Sequence, residues 1–99
     1  MDLQMDGKVA VVTGASKGIG LAVVRALSAE GVRVVAGART VGGLAGIDRV
    51  VPIEVDLVEP SGSARLVAEA VDRHGRVDIL VNNVGGGAVR LDGVLSVSA

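Results

Sequence analysis

Apolar positions fall into two kinds of run that alternate along the chain: short unbroken ones, and longer ones with a three-to-four-residue spacing. Lys8 to Thr13 is short and almost wholly apolar, as expected of a strand covered on both faces. Gly18 to Glu30 places Ile19, Val23 and Leu27 four apart with Ala22 and Ala26 beside them, which predicts an amphipathic helix stopped by Gly31. Val32 to Ala36 predicts a second strand. Thr40 to Asp48 is rich in glycine and can hold at most a short, weak helix. Val50 to Val55 predicts a third strand, and Pro52, which lacks a ladder donor, puts it at a sheet edge. Ser61 is the predicted N-cap of a further helix in which Leu66, Val67, Ala70 and Val71 share a face. Arg73 and His74 fall in its last turn, where positive charge suits the helix dipole, and Gly75 follows. Val77 to Val81 is the fourth strand, and Asn82 to Ala99 reads as glycine-rich and irregular. This βαβα succession predicts an α/β protein, an open parallel sheet with helices packed on it, in a single domain over residues 1–99.

Composition sharpens that picture. The 99 residues include 15 glycines and no Phe, Trp or Tyr, so the core must be built from small and β-branched side chains, which favours strands closely overlaid by helices. Net charge is −1 and neither sign is blocked into a run, which argues against nucleic acid or an anionic membrane surface as the main partner. With no cysteine there is no disulfide, thiolate metal site or cysteine nucleophile. No basic leader with a hydrophobic stretch opens the chain and no segment reaches membrane-spanning length, so a cytoplasmic protein is the expectation.

Thr13-Gly14-Ala15-Ser16-Lys17-Gly18-Ile19-Gly20 lies between the first strand and the first helix, where a glycine turn can aim backbone N–H groups and a helix N-terminus at a pyrophosphate. Gly14 allows a sharp turn, Gly18 a close approach of backbone to phosphate, and Gly20 close packing of helix on strand, while Ser16 can add a hydroxyl donor. A glycine trio alone is also what an ordinary strand-to-helix turn would use. The Gly-x-x-x-Gly-x-Gly spacing after Thr13, however, resembles the signature of the short-chain dehydrogenase/reductase family. Three more places agree. Asp56-Leu57 after the third strand matches an Asp-Val or Asp-Leu pair that in the family lies against adenine. Asn82-Asn83-Val84-Gly85 resembles the family's Asn-Asn-Ala-Gly, with Val84 bulkier than the usual alanine, and Val77-Asp78-Ile79-Leu80-Val81 leads into it as in the family. The resemblance covers residues 7 to 95. It implies a Rossmann-like parallel sheet with helices on both faces, truncated after about four strands in the order 3-2-1-4, and a nicotinamide dinucleotide held by Gly14, Ser16, Lys17, Gly18, Ile19, Gly20, Arg39, Asp56, Leu57, Asn83, Val84 and Gly85.

At the end of the second strand a carboxylate would bond the 2′-hydroxyl of NAD, whereas a small neutral residue beside Arg accommodates the 2′-phosphate of NADP. Here Ala38 stands in the carboxylate position and Arg39 follows, with Lys17 as a second cation, so NADP(H) is expected over NAD(H). The alternative is that both cations are ordinary solvated surface residues. His74 reads as a surface residue rather than a catalyst, and Asp2, Asp6, Asp48, Asp72, Asp78 and Asp92 have no metal-ligand spacing.

The family's activity is hydride transfer between the nicotinamide and a carbonyl or alcohol carbon, with a Tyr-x-x-x-Lys pair, a serine and usually an asparagine completing the site. No tyrosine occurs here, the lysines are Lys8 and Lys17 alone, and Ser96 and Ser98 come too early to be the family serine. No catalytic residue carries over. The chain is expected to be the cofactor-binding part of an oxidoreductase, inactive by itself, with a non-catalytic nucleotide-binding module or inactive gene remnant as the alternative. An uncovered fourth strand would present unpaired backbone groups, which predicts self-association through it.

Overall fold

The valine-rich runs become the strands of one sheet, because β-branched side chains suit a pleated surface covered on both faces. A computed structural model describes residues 6–15, 18–56, 60–82 and 91–93. Their order is β1 (Val9–Thr13), α1 (Gly18–Ala29), β2 (Arg33–Ala38), a 3₁₀ turn (Gly42–Leu44), β3 (Val50–Glu54), α2 (Pro60–His74), β4 (Ile79–Val81) and β5 (Leu91–Gly93). The sheet order is β3-β2-β1-β4-β5. β1 lies parallel to β2, with Val11 opposite Val35, and parallel to β4, with Val11 opposite Leu80. β2 pairs parallel with β3, so that Ala36 faces Pro52. The parallel part therefore has the expected order 3-2-1-4, and Pro52 sits on the edge strand, where its missing N–H deprives no ladder partner on the outer side.

Period-two alternation sends successive residues to opposite layers. Ala10 and Val12 of β1, Val34 and Ala36 of β2, and Ile79 and Val81 of β4 are buried with Val24 and Leu27 of α1. Val9, Val11 and Val35 are buried instead with Leu66 and Ala70 of α2. The two helices thus cover opposite faces. A Cβ built on Gly37 would overlap the side chain of Leu66, so only glycine at that point of β2 lets α2 settle to this depth.

Two expectations are corrected. α2 starts at Pro60, which places Ser61 inside the first turn instead of at the N-cap; proline suits the first helical position because it has no N–H to leave unsatisfied and its φ is preset. The residues just before Pro60 lie outside the described residues. The irregular stretch after Asn82 contains β5, which pairs antiparallel with β4, opposing Ile79 to Gly93, Leu80 to Asp92 and Val81 to Leu91. β4 is therefore an interior strand and not the uncovered edge through which self-association was expected; among the described residues β5 forms that edge.

Candidate functional site

In this order β1 has β2 on one side and β4 on the other, so the sheet reverses direction of growth at β1. Open α/β sheets bind ligands at such a switch point, beyond the carboxyl ends of the strands. Thr13, the last residue of β1, is buried, and its hydroxyl lies 3.0 Å from Asn82 Oδ1 and 3.4 Å from the Val81 carbonyl oxygen. That contact ties the ends of β1 and β4 across the crevice. Gly14 follows with φ of 62°, and the Ala15 N–H donates to the Gly37 carbonyl at 3.1 Å, fixing the turn against β2.

Gly18 opens α1, also at φ 62°, and among the described residues nothing lies within 4 Å of where its Cβ would be. A left-handed backbone bordering open space is what close approach by a ligand requires, since a side chain there would be both strained and in the way. Ile19 beside it is 52% exposed, a large apolar side chain left uncovered at the same turn, whereas Gly20 is buried, in keeping with helix-on-strand packing. Ser16 and Lys17 lie outside the described residues.

A second part of the carboxyl edge is an open cleft of about 310 Å³ lined by Arg39, Glu54, Val55, Asp56 and Arg65. Arg39 follows β2, Glu54 ends β3, and Arg65 comes from the second turn of α2. The Val55 N–H donates to the Ala38 carbonyl at 2.9 Å, holding the two strand ends together. Arg39 and Asp56, named from sequence, are thus brought to one cleft. Arg65 and Glu54 were not anticipated; the available signal was that the first turns of α2 follow Asp56 closely and so must lie near the carboxyl edge. Arg39, Glu54 and Arg65 enter no ion pair among the described residues. Leu57, Asn83, Val84 and Gly85 lie outside the described residues, so their expected contacts with a cofactor are not placed.

Two ionisable groups elsewhere depart from the sequence expectation. Asp78 accepts hydrogen bonds from the Val9 N–H at 2.9 Å and from Arg76 Nε at 2.8 Å. Burial pushes its carboxyl up, but the Arg76 bond, the Val9 N–H and the charges of Arg76 and Lys8 together outweigh that and hold it below the usual carboxylate value. Its role is to fasten the entry of β4 to β1. His74 is half-buried rather than fully on the surface, and its Nε2 is buried with no hydrogen-bond partner among the described residues. Burial first, and then the charges of Arg33 and Arg73, push its imidazole below the ordinary value. Among the described residues there is no group of three or more His, Asp or Glu that could hold a metal ion, and no helix is long and apolar enough to cross a membrane.

Comparison with known proteins agrees with this arrangement. The family model for short chain dehydrogenases matches residues 8–97. A 1,6-dihydroxycyclohexa-2,4-diene-1-carboxylate dehydrogenase from Pseudomonas putida is 40% identical over 92 residues, covering 87% of this chain and 34% of the relative. L-sorbose reductase from Gluconobacter frateurii, solved with NADPH and L-sorbose, superimposes with a TM-score of 0.77 at 39% identity, covering 89% of this chain and 37% of the reductase. A metagenomic short-chain oxidoreductase solved with NADP gives a TM-score of 0.72 at 40% identity, over 83% of this chain and 41% of that one. The chain therefore spans little more than a third of the length of the relatives it matches. With the glycine turn, the strand order and the switch-point crevice in place, the chain belongs to the short-chain dehydrogenase family.

Proposed function

We propose that residues 1–99 form the dinucleotide-binding part of an NAD(P)-dependent oxidoreductase, a partial Rossmann domain that binds its cofactor along the carboxyl edge of the sheet. The observation that carries this is the joint placement of Gly14, Gly18 and the Arg39–Asp56 cleft at the ends of adjacent parallel strands. The start of α1 at Gly18 leaves its first N–H groups without intrahelical partners, and the helix dipole adds positive potential for a pyrophosphate. By their place in the sequence motif, Ser16, Lys17, Ile19 and Gly20 are assigned to the same cofactor-binding turn. By the family resemblance, Leu57, Asn83, Val84 and Gly85 are proposed as further cofactor contacts.

Ala38 and Arg39 support a preference for NADP(H). A buried alanine at position 38 puts no carboxylate at the end of β2 itself, and the exposed Arg39 guanidinium can meet a 2′-phosphate with two parallel hydrogen bonds. The NADPH and NADP in the two solved relatives lend weight to this choice. The bound nicotinamide would supply the hydride exchanged with a carbonyl or alcohol substrate. This stretch has no tyrosine to move the accompanying proton, so within it the residues bind and orient the cofactor and do not catalyse. We further propose a cytoplasmic protein and self-association of the isolated chain through the sheet edge formed by β5.

Titration calorimetry of the 99-residue chain with NADPH tests the binding claim. Saturable one-to-one binding is expected, tighter than for NADH. A folded sample that binds neither dinucleotide would overturn it.

A further inference from the structure

The cleft between β2, β3 and α2 has a charge pattern that a phosphate site alone does not explain. Among the described residues that line it, two guanidiniums, Arg39 and Arg65, are matched by two carboxylates, Glu54 and Asp56, so the lining offers more than the single cation that a 2′-phosphate at Arg39 would use. All four of these residues are exposed, while Val55 between the carboxylates is buried and contributes an apolar floor. An occupant suited to this lining is neutral and flat, with N–H donors at its rim for the carboxylates and a π-face for the cations. A purine bearing an exocyclic amine meets each of these requirements.

The face of such a ring must be covered by something, and the sequence has no Phe, Tyr or Trp to do it. The guanidiniums are the planar side chains that line the cleft. A guanidinium stacks on an aromatic ring through its delocalised plane and its charge, and it sheds water more readily than an ammonium does. Arg39 is engaged at the ribose side by the proposed NADP(H) preference. Arg65 comes from a different element, α2, and makes no ion pair among the described residues that would hold its guanidinium elsewhere.

We propose that Arg65 is a further cofactor-binding residue that stacks on the adenine ring, gripping the base without reading the 2′-phosphate. This rests on the proposed binding of a dinucleotide to the carboxyl edge. It divides the work in the cleft: Arg39 distinguishes NADP from NAD, and Arg65 strengthens both by the same factor.

The test is calorimetric titration of the 99-residue chain and its Arg65→Ala and Arg65→Lys variants with NADPH, NADH and 5′-AMP. Arg65 is exposed on a helix, so either change should leave the circular dichroism spectrum and melting temperature near those of the parent. In Arg65→Ala, all three ligands should weaken by the same factor, about fivefold to tenfold for a lost cation–π stack, with the NADPH-to-NADH ratio unchanged. Arg65→Lys, which keeps the charge but not the plane, should recover only part of that loss. Selective weakening of NADPH would overturn the proposal by making Arg65 a phosphate contact, and unchanged affinities would overturn it by making Arg65 a solvated cation. Failure of the unaltered chain to bind any of the three ligands is a separate result, which would sink the dinucleotide reading and the stack with it.

Discussion

The two ends of the sheet differ in what their polar groups do. At the amino end, those groups are paired with one another, the buried Nε2 of His74 excepted among the described residues. The Gly7 N–H donates to Gly31, the Arg33 N–H to Lys8, the Asp78 N–H to Val9 and the Val34 N–H to Arg49, while the Asp78 carboxylate accepts from the Val9 N–H and from Arg76. Ser28 bonds the Asp48 carbonyl, and Arg49 reaches back to the Ser28 carbonyl. At the carboxyl end the backbone is tied at a few points by Thr13, Ala15 and Val55, yet Arg39, Glu54 and Arg65 have no ion pair among the described residues, and Ile19 is left uncovered. One end spends its polar groups on holding strands in place, and the other leaves the charges of Arg39, Glu54 and Arg65 available. That asymmetry is what a sheet that binds at one edge should show.

The largest effect should come from breaking the structural end. Asp78→Ala leaves the Val9 N–H without its side-chain acceptor and removes the partner of Arg76. Unfolding in urea should show a loss of about 1–3 kcal/mol, with NADPH affinity of the remaining folded chain unchanged. A loss of affinity in that folded chain would mean that the two ends are not separable. The converse change, Arg39→Ala, should leave stability within about 0.5 kcal/mol, as expected for an exposed side chain, and lower the preference for NADPH over NADH about tenfold. An unaltered preference would return Arg39 to the class of solvated surface cations.

The smallest effect is a pH dependence confined to the amino end. His74 has its folded pKa below its ordinary 6.5, so the unfolded chain binds a proton first as pH falls. Its contribution to stability is therefore present at neutral pH and declines as the pH drops below about 6.5, through the folded value. Asp78, also depressed, has the carboxylate sign: its contribution is present above 3.8 and is lost as pH falls through its lower folded value. Stability should thus decline in two separate windows. His74→Gln should flatten the upper one and leave the lower one, and an unchanged upper window would reassign it to another group.

Most of the fold was legible because each parallel strand here is a short apolar run and each helix carries its own period and glycine stop. β5 was not, since three residues including Gly93 carry no periodicity, and their pairing depends on β4 being there to receive them. Ser61 misled because Pro60 and Ser61 both suit a helix start, at different positions of the first turn. The glycine turn could be read because its residues are contiguous and its context is a strand followed by a helix. Arg65 could not, because its place in the cleft follows from how deeply α2 settles, which Gly37 and Leu66 decide together. Asp78 was passed over for a similar reason: its partner is a backbone N–H 69 positions away in sequence.

The claim that one edge binds and the other only holds is tested most directly by following backbone amide resonances of the chain during titration with NADPH. The account predicts saturable shifts at Gly14, Gly18, Ile19, Arg39 and Asp56, with Lys8, Arg33, Arg49 and Asp78 nearly unmoved. Shifts centred on the second group, or none at either end under conditions where the chain is folded, would contradict it.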